Sequence, residues 1–176
     1  MKNKLFITLL VLLCAASCKK ENKNEKQLPP ATQTGANTFG CLVNGKVFVP
    51  KGYDGTGRPN PHVQYDYDLN GQPYLTIDVL QYGNGNSNGN IYIGFGNLTH
   101  TGAYSVPINF TFLVGWNILG NCNTPPYDST LQRWGGGVIT KLDMPNQIIA
   151  GTFDFKYKTT QCDTVRITNG RFDIKF

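Results

Sequence analysis

Asp66, Asp68 and Asn70, followed by Gly71, set three oxygen-bearing side chains at alternate positions before a glycine. That is how a calcium-binding loop of the EF-hand kind opens, with ligands at positions 1, 3 and 5 and a glycine at 6. Such a loop is closed by a bidentate Glu at position 12. Counting from Asp66, that position is Ile77, and Asp78 falls one residue late. The flanks are wrong as well, because an EF-hand needs helices on both sides. Val63, Tyr65, Tyr67 and Leu69 alternate with Gln64, Asp66 and Asp68, which is the period of a strand. The expectation is a turn at Asn70-Gly71 with the carboxylates as its solvent-facing neighbours, and no metal site.

Other chemistry is sparse. The two histidines, His62 and His100, have no second His or Cys at metal-ligand spacing. No G-x-S-x-G nucleophile motif occurs. Paired carboxylates would serve a glycosidase, but Asp residues on alternating strands are expected to decorate a surface. No catalytic residue, metal or cofactor is therefore assigned. Tyr104, Trp116, Tyr127 and Trp134 lie near irregular segments, where they either form a binding face or pack into core and loops; packing is the favoured reading. Tyr82 and Tyr92 flank the Gly/Asn stretch 82–90, "YGNGNSNGN", expected to be a long mobile hairpin loop that is filler rather than a sugar contact.

The elements holding these residues are expected to be strands. Asn-Gly between apolar runs, a strong hairpin signal, occurs in "CLVNGKVFV", "DYDLNGQPYL" and "VRITNGRFDI". In the third, a two-residue turn at Asn169-Gly170 would set Ile167 opposite Phe172, Val165 opposite Ile174, and Arg166 opposite Asp173. In the second, Leu75, Ile77 and Val79 continue the apolar face of Val63 and Tyr65 only if the turn carries one extra residue. "IIAGTFDFKY" puts Ile149, Phe153, Phe155 and Tyr157 on one side, with Asp154 and Lys156 on the other. No segment carries a sustained helical stripe. The predicted fold is all-β, an antiparallel sandwich or barrel of roughly ten short strands.

The amino terminus has a different character. Lys2 and Lys4 precede an apolar run from Leu5 to Leu13, and small residues lead into Cys18. This is the pattern of a secretory signal, with an apolar run too short for a spanning helix. "LLCAASC" resembles the lipobox of bacterial lipoproteins. That resemblance implies residues 1–17 as signal peptide and Cys18 as the lipidated first residue of the mature chain, anchored in a membrane by its acyl chains. Residues 18–37 read as the lipidated Cys and a flexible polar tether, and residues 38–176 as a single all-β domain. That domain holds ten Lys or Arg against nine Asp and no Glu. Its near-neutral balance does not give the clustered basic face of a nucleic-acid binder.

"GGGVITKLDMPNQIIAGTFDFKY", "DTVRITNGRFDIKF" and "TGANTFGCLVNGKVFVP" resemble a Bacteroidetes-type lipoprotein family, a domain of unknown function. The resemblance covers both ends of the domain and implies an envelope-anchored β-domain, with no catalytic residues to carry over. It also implies O-glycosylation at Asp-Ser/Thr motifs, here "DST" at Ser129 and "DTV" at Thr164. Some lipoproteins of this kind use acidic residues after the lipidated Cys as a surface-export signal. "CKKEN" matches that poorly, so an outer-membrane anchor on the periplasmic face and one on the cell surface both stay open. The leading functional expectation is non-catalytic binding of a glycan or an envelope partner. A purely structural envelope component comes second and a glycan-active enzyme third.

Three cysteines remain in the mature domain. Export to an oxidising compartment favours a disulfide. Cys122 and Cys162, both in turn-like segments, are the expected pair, closing a loop of about 40 residues for roughly 4 kcal/mol in the chain-entropy model. Cys41 shares a strand face with Phe39 and Val43 and reads as a small buried hydrophobe.

Overall fold

The computed structural model describes residues 24, 27–52, 57–83, 86–114, 131–158, 160 and 163–176. They form ten strands: β1 (Thr38–Val43), β2 (Lys46–Phe48), β3 (His62–Tyr67), β4 (Pro73–Gly83), β5 (Asn86–Gly96), β6 (Gly102–Ser105), β7 (Phe110–Val114), β8 (Gln132–Asp143), β9 (Ile148–Lys158) and β10 (Val165–Lys175). A six-stranded sheet has the order β2-β1-β10-β9-β8-β6, and a four-stranded sheet the order β3-β4-β5-β7. The sheets pack as a sandwich and do not close into a barrel. Among the described residues the edge strands are β2 and β6 in one sheet, β3 and β7 in the other.

Alternation of side chains along each strand sends one set of residues into the space between the sheets. That space is aromatic. Phe112 of β7 stacks on Phe155 of β9 with centroids 3.8 Å apart. Phe95 of β5 meets Phe172 of β10 at 5.8 Å and Tyr104 of β6 edge-on at 5.6 Å. Ile149, Phe153, Phe155 and Tyr157 are all buried, as their spacing predicts. A buried Phe contributes about 1.5–3 kcal/mol, so these rings carry much of the cohesion between the sheets.

The three Asn-Gly pairs have three different outcomes. Asn44 and Gly45, at φ 48° and 80°, make the tight turn between β1 and β2, with Val43 paired to Lys46. Asn70-Gly71 belongs to a longer turn. Asp68 N–H donates to Gln72 O at 2.9 Å, Gly71 takes φ 74°, and Val63 faces Ile77 while Tyr65 faces Leu75. The extra turn residue that the apolar pattern called for is present.

Asn169-Gly170 is not a turn, which corrects the predicted hairpin. β10 runs straight through it as one eleven-residue strand. Asn169, at φ 54°, forms a bulge: Ile167 pairs with Phe155 and Gly170 with Phe153, so β10 spends one residue more than β9. The bulge shifts the side-chain phase by one, just as a two-residue turn would. Val165, Ile167, Phe172 and Ile174 are therefore all buried, although they do not face one another. The expected Arg166–Asp173 pair is absent: Arg166 is paired with Lys156, and Asp173 with Ala150 and Thr38.

Two further expectations change. The stretch 82–90 is mostly paired strand. Gly83 faces Asn86, Tyr82 faces Ser87 and Gln81 faces Gly89, so the hairpin is tight rather than a long loop. The tether also ends earlier than residue 37. Leu28 is buried, and a side chain at Gly40 would meet Pro29 Cδ at 2.6 Å. Residues 28–37 thus form a strap across one end of the outer face of the six-stranded sheet. Composition misses this because, beyond Leu28 and Pro29, the strap is held by backbone amides and hydroxyls gathered on one carboxylate rather than by apolar side chains.

That carboxylate is Asp173, which is fully buried. It accepts Thr32 Oγ1 at 2.6 Å, Thr34 N at 2.9 Å, Thr34 Oγ1 at 3.2 Å and Gly35 N at 2.7 Å. Burial pushes its pKa up, but the hydrogen bonds from Thr32, Thr34, Gly35 and Ala36 outweigh burial and hold it below the ordinary carboxylate value. Lys141 Nζ adds a bond to Gln33 O at 3.1 Å, and Lys175 N one to Asn37 Oδ1 at 2.9 Å.

Candidate functional site

Among the described residues, the strap leaves the other half of that outer face open. There, two adjoining hollows of about 200 and 300 Å³ share Gly135 and Asp154. Their floor is the glycine run of β8. A Cβ on Gly136 would collide with the Tyr104 carbonyl, and one on Gly135 with the backbone of Asp154 and Phe155. Gly135 also takes φ 116°, which side-chain-bearing residues rarely adopt. The run therefore lets β6 and β9 close tightly on β8 and leaves bare backbone on the surface.

Side chains of four strands ring this floor. Trp134 of β8 stands at one side and is 41% exposed. Lys156 of β9 places Nζ 5.2 Å from the Trp134 ring centroid. Directly across from Lys156 in the ladder is Arg166 of β10. Both cations are exposed, and among the described residues neither is ion-paired. Like charges set opposite each other on one face of a sheet destabilise it, on the scale of about 0.2–1 kcal/mol for a cross-strand pair. The Arg166 backbone is pinned by the β1–β2 turn, donating its N–H to Asn44 Oδ1 at 2.8 Å.

Asp154 sits between the two hollows and accepts the Asn169 N–H at 2.9 Å. Burial raises its pKa more than that bond lowers it. The bulge that breaks the predicted hairpin thus also fixes this carboxylate. Thr168, Thr152, Val138, Ser105 and Ala103 complete the rim. An aromatic wall, a hydroxyl-accepting carboxylate, a cation pair and an open backbone floor can hold a polar ring-shaped ligand. Two carboxylates astride a bond are what a glycosidase uses; Asp154 is the one carboxylate lining these hollows among the described residues.

No family model matches the chain, and no curated protein or solved structure matches it either.

The residues singled out from sequence are scattered. Tyr104 is a core residue, 2% exposed, with its hydroxyl donating to His100 O at 2.8 Å. Trp134 departs from the packing expectation and is the exposed aromatic of the groove. Trp116, Tyr127, Cys18, Cys122, Cys162 and Ser129 lie outside the described residues. Thr164 is half-buried directly before β10. Cys41 is a buried free thiol, whose pKa is pushed far up by burial and then by the charge of Asp154. Asp68 caps its own turn: Oδ1 accepts the N–H groups of Asn70 and Gln72, each at 2.8 Å.

His100 is exposed, with Nδ1 3.1 Å from Thr99 Oγ1. His62 lies across β3–β4 from Asp78 on the outer face of the four-stranded sheet. His62 Nδ1 and Asp78 Oδ1 are buried without a hydrogen-bond partner among the described residues. Both line a recess of about 10 Å³, room for a single water. Sequence reasoning missed Asp154, Lys156 and Arg166 as a group. The available signal was a Trp followed by three glycines inside a strand, since interior strand glycines mark close backbone approach.

Proposed function

We propose that this chain is a lipid-anchored cell-envelope protein whose β-sandwich binds a saccharide, without catalysis, in the groove beside Trp134. The observation that carries the reading is an exposed Trp beside a carboxylate over a side-chain-free glycine floor. A sugar presents an apolar ring face and hydroxyl donors together. Trp134 suits the first and Asp154 the second, and Thr152, Thr168 and Ser105 add hydroxyls at the rim. The lining supports binding better than hydrolysis, because it offers one carboxylate rather than a pair.

Anchoring rests on the lipobox-like residues ending in Cys18. Cys18→Ala should abolish incorporation of labelled fatty acid; a mutant that still carries label refutes the anchor. Glycan-array binding of the purified full-length protein tests the groove. Wild type should bind saccharides and Trp134→Ala should not, with unchanged melting temperature. Binding that is equal in the two proteins would move the site elsewhere.

A further inference from the structure

The open half of the groove carries an electrostatic arrangement that a neutral sugar does not need. Lys156 and Arg166 are paired directly across β9 and β10, on the same outer face, lining the same hollow as Trp134. Opposed residues in such a ladder bring their Cβ atoms to about 4.5–5.5 Å. Two like charges are thus held side by side, with no ion-pair partner among the described residues. The Arg166 backbone is fixed by Asn44, and the Lys156 ammonium rests on the Trp134 ring. Asp154, the carboxylate nearest in the lining, is two residues along β9 and is engaged by the Asn169 N–H. Burial weakens its hold on a negative charge.

We infer that the groove's ligand is an acidic polysaccharide, bound with a sugar carboxylate or sulfate between Lys156 and Arg166 and the same sugar's ring against Trp134. This rests on the saccharide reading above and names its class. The planar guanidinium of Arg166 can take an anionic group bidentately, and the Lys156 ammonium adds a point charge from the other strand. Binding relieves the repulsion between the two cations, so the anion is favoured by a contact already present in the empty fold. Asp154, two residues along β9 from Lys156 and across the ladder from Gly136, accepts hydroxyls of the sugar ring and disfavours a second acidic group there. The chemistry therefore suits a chain in which each acidic group stands next to a hydroxyl-rich ring.

Affinity electrophoresis of the full-length protein in detergent tests this. The probes are polygalacturonate, its fully methyl-esterified form, chondroitin sulfate, neutral galactan, and polyglutamate as an anionic polymer without sugar rings. The methyl ester keeps the backbone and removes the charge. Wild type should bind polygalacturonate or chondroitin sulfate at least tenfold tighter than the methyl ester, galactan or polyglutamate. Desulfated chondroitin, which keeps the uronate carboxylates, tells sulfate from carboxylate when compared with chondroitin sulfate. Lys156→Gln with Arg166→Gln should reduce that preference to under threefold without lowering the melting temperature. Equal affinity for the ester and the acid, or tighter binding to galactan, overturns the acidic class while leaving the saccharide reading standing. Polyglutamate binding as tightly as the acidic sugars overturns it too, since charge alone would then suffice. No binding to any sugar probe overturns both.

Discussion

Replacing Asp173 with Asn should detach the strap and lower stability well beyond an ordinary surface change. The carboxylate is buried and gathers four hydrogen bonds of 2.6–3.2 Å from Thr32, Thr34 and Gly35. Hydrogen bonds to a charged group contribute about 1.5–3 kcal/mol each, and within one network they do not add. Asn keeps one acceptor oxygen and turns an NH₂ toward groups that are themselves donors. A loss of about 3 kcal/mol follows, on the order of two such bonds. At roughly 2–4 °C per kcal/mol for a chain of this size, the melting temperature should fall by about 6–12 °C. Thermal denaturation followed by circular dichroism measures this. A chain beginning at Thr38 supplies the control, because with the strap gone the same substitution should cost little. The effect of pH has a definite sign. The folded-state pKa of Asp173 is depressed, so its stabilisation is complete above the unfolded carboxylate value of about 3.9 and is lost as pH falls through the folded value. The gap between wild type and Asp173→Asn should therefore close on acidification. A melting temperature within 1 °C of wild type at neutral pH would refute the reasoning, as would an equal cost with and without the strap.

Other consequences are as direct. Gly137→Ala would bring a methyl to 2.7 Å from the Phe95 ring and 3.2 Å from Phe110, and should destabilise by about 1–3 kcal/mol of overpacking in urea denaturation; an unchanged midpoint would contradict the packing. Asp68→Ala removes the cap on two turn amides and should cost about 1 kcal/mol, while melting should be the same in chelator and in millimolar calcium; a rise with calcium in wild type that Asp68→Ala abolishes would restore the metal reading. Cys41 should resist maleimide in the native protein and react after denaturation, and peptide mapping without reductant should link Cys122 to Cys162; rapid native labelling, or a linked peptide containing Cys41, would contradict this.

Much of the architecture is readable from period-two alternation, and the errors have identifiable causes. At Asn169 the sequence pattern is degenerate. A two-residue turn and a one-residue bulge both shift the side-chain phase by one, and both use an Asn at positive φ. Telling them apart requires knowing that β1 and β9 flank β10 on both sides, which is tertiary information. At Asn70-Gly71 the apolar phase alone revealed the longer turn, because one face is buried and a slip would have exposed it. The strap escaped because Thr32, Thr34 and Gly35 look like linker residues until Asp173, some 140 positions away, is brought to them. The groove was partly legible: Trp134 was a candidate, but its partners come from β9 and β10, and only strand order sets Lys156 against Arg166.

The central claim is that the groove beside Trp134 holds a sugar. Calorimetric titration of the full-length protein with galacturonate oligosaccharides, in wild type and Trp134→Ala, addresses it most directly. A saturable heat in wild type, with affinity at least tenfold weaker in Trp134→Ala at equal melting temperature, is the predicted result. The same affinity in both proteins, or no heat in wild type with either galacturonate or neutral galactan oligosaccharides, would contradict it.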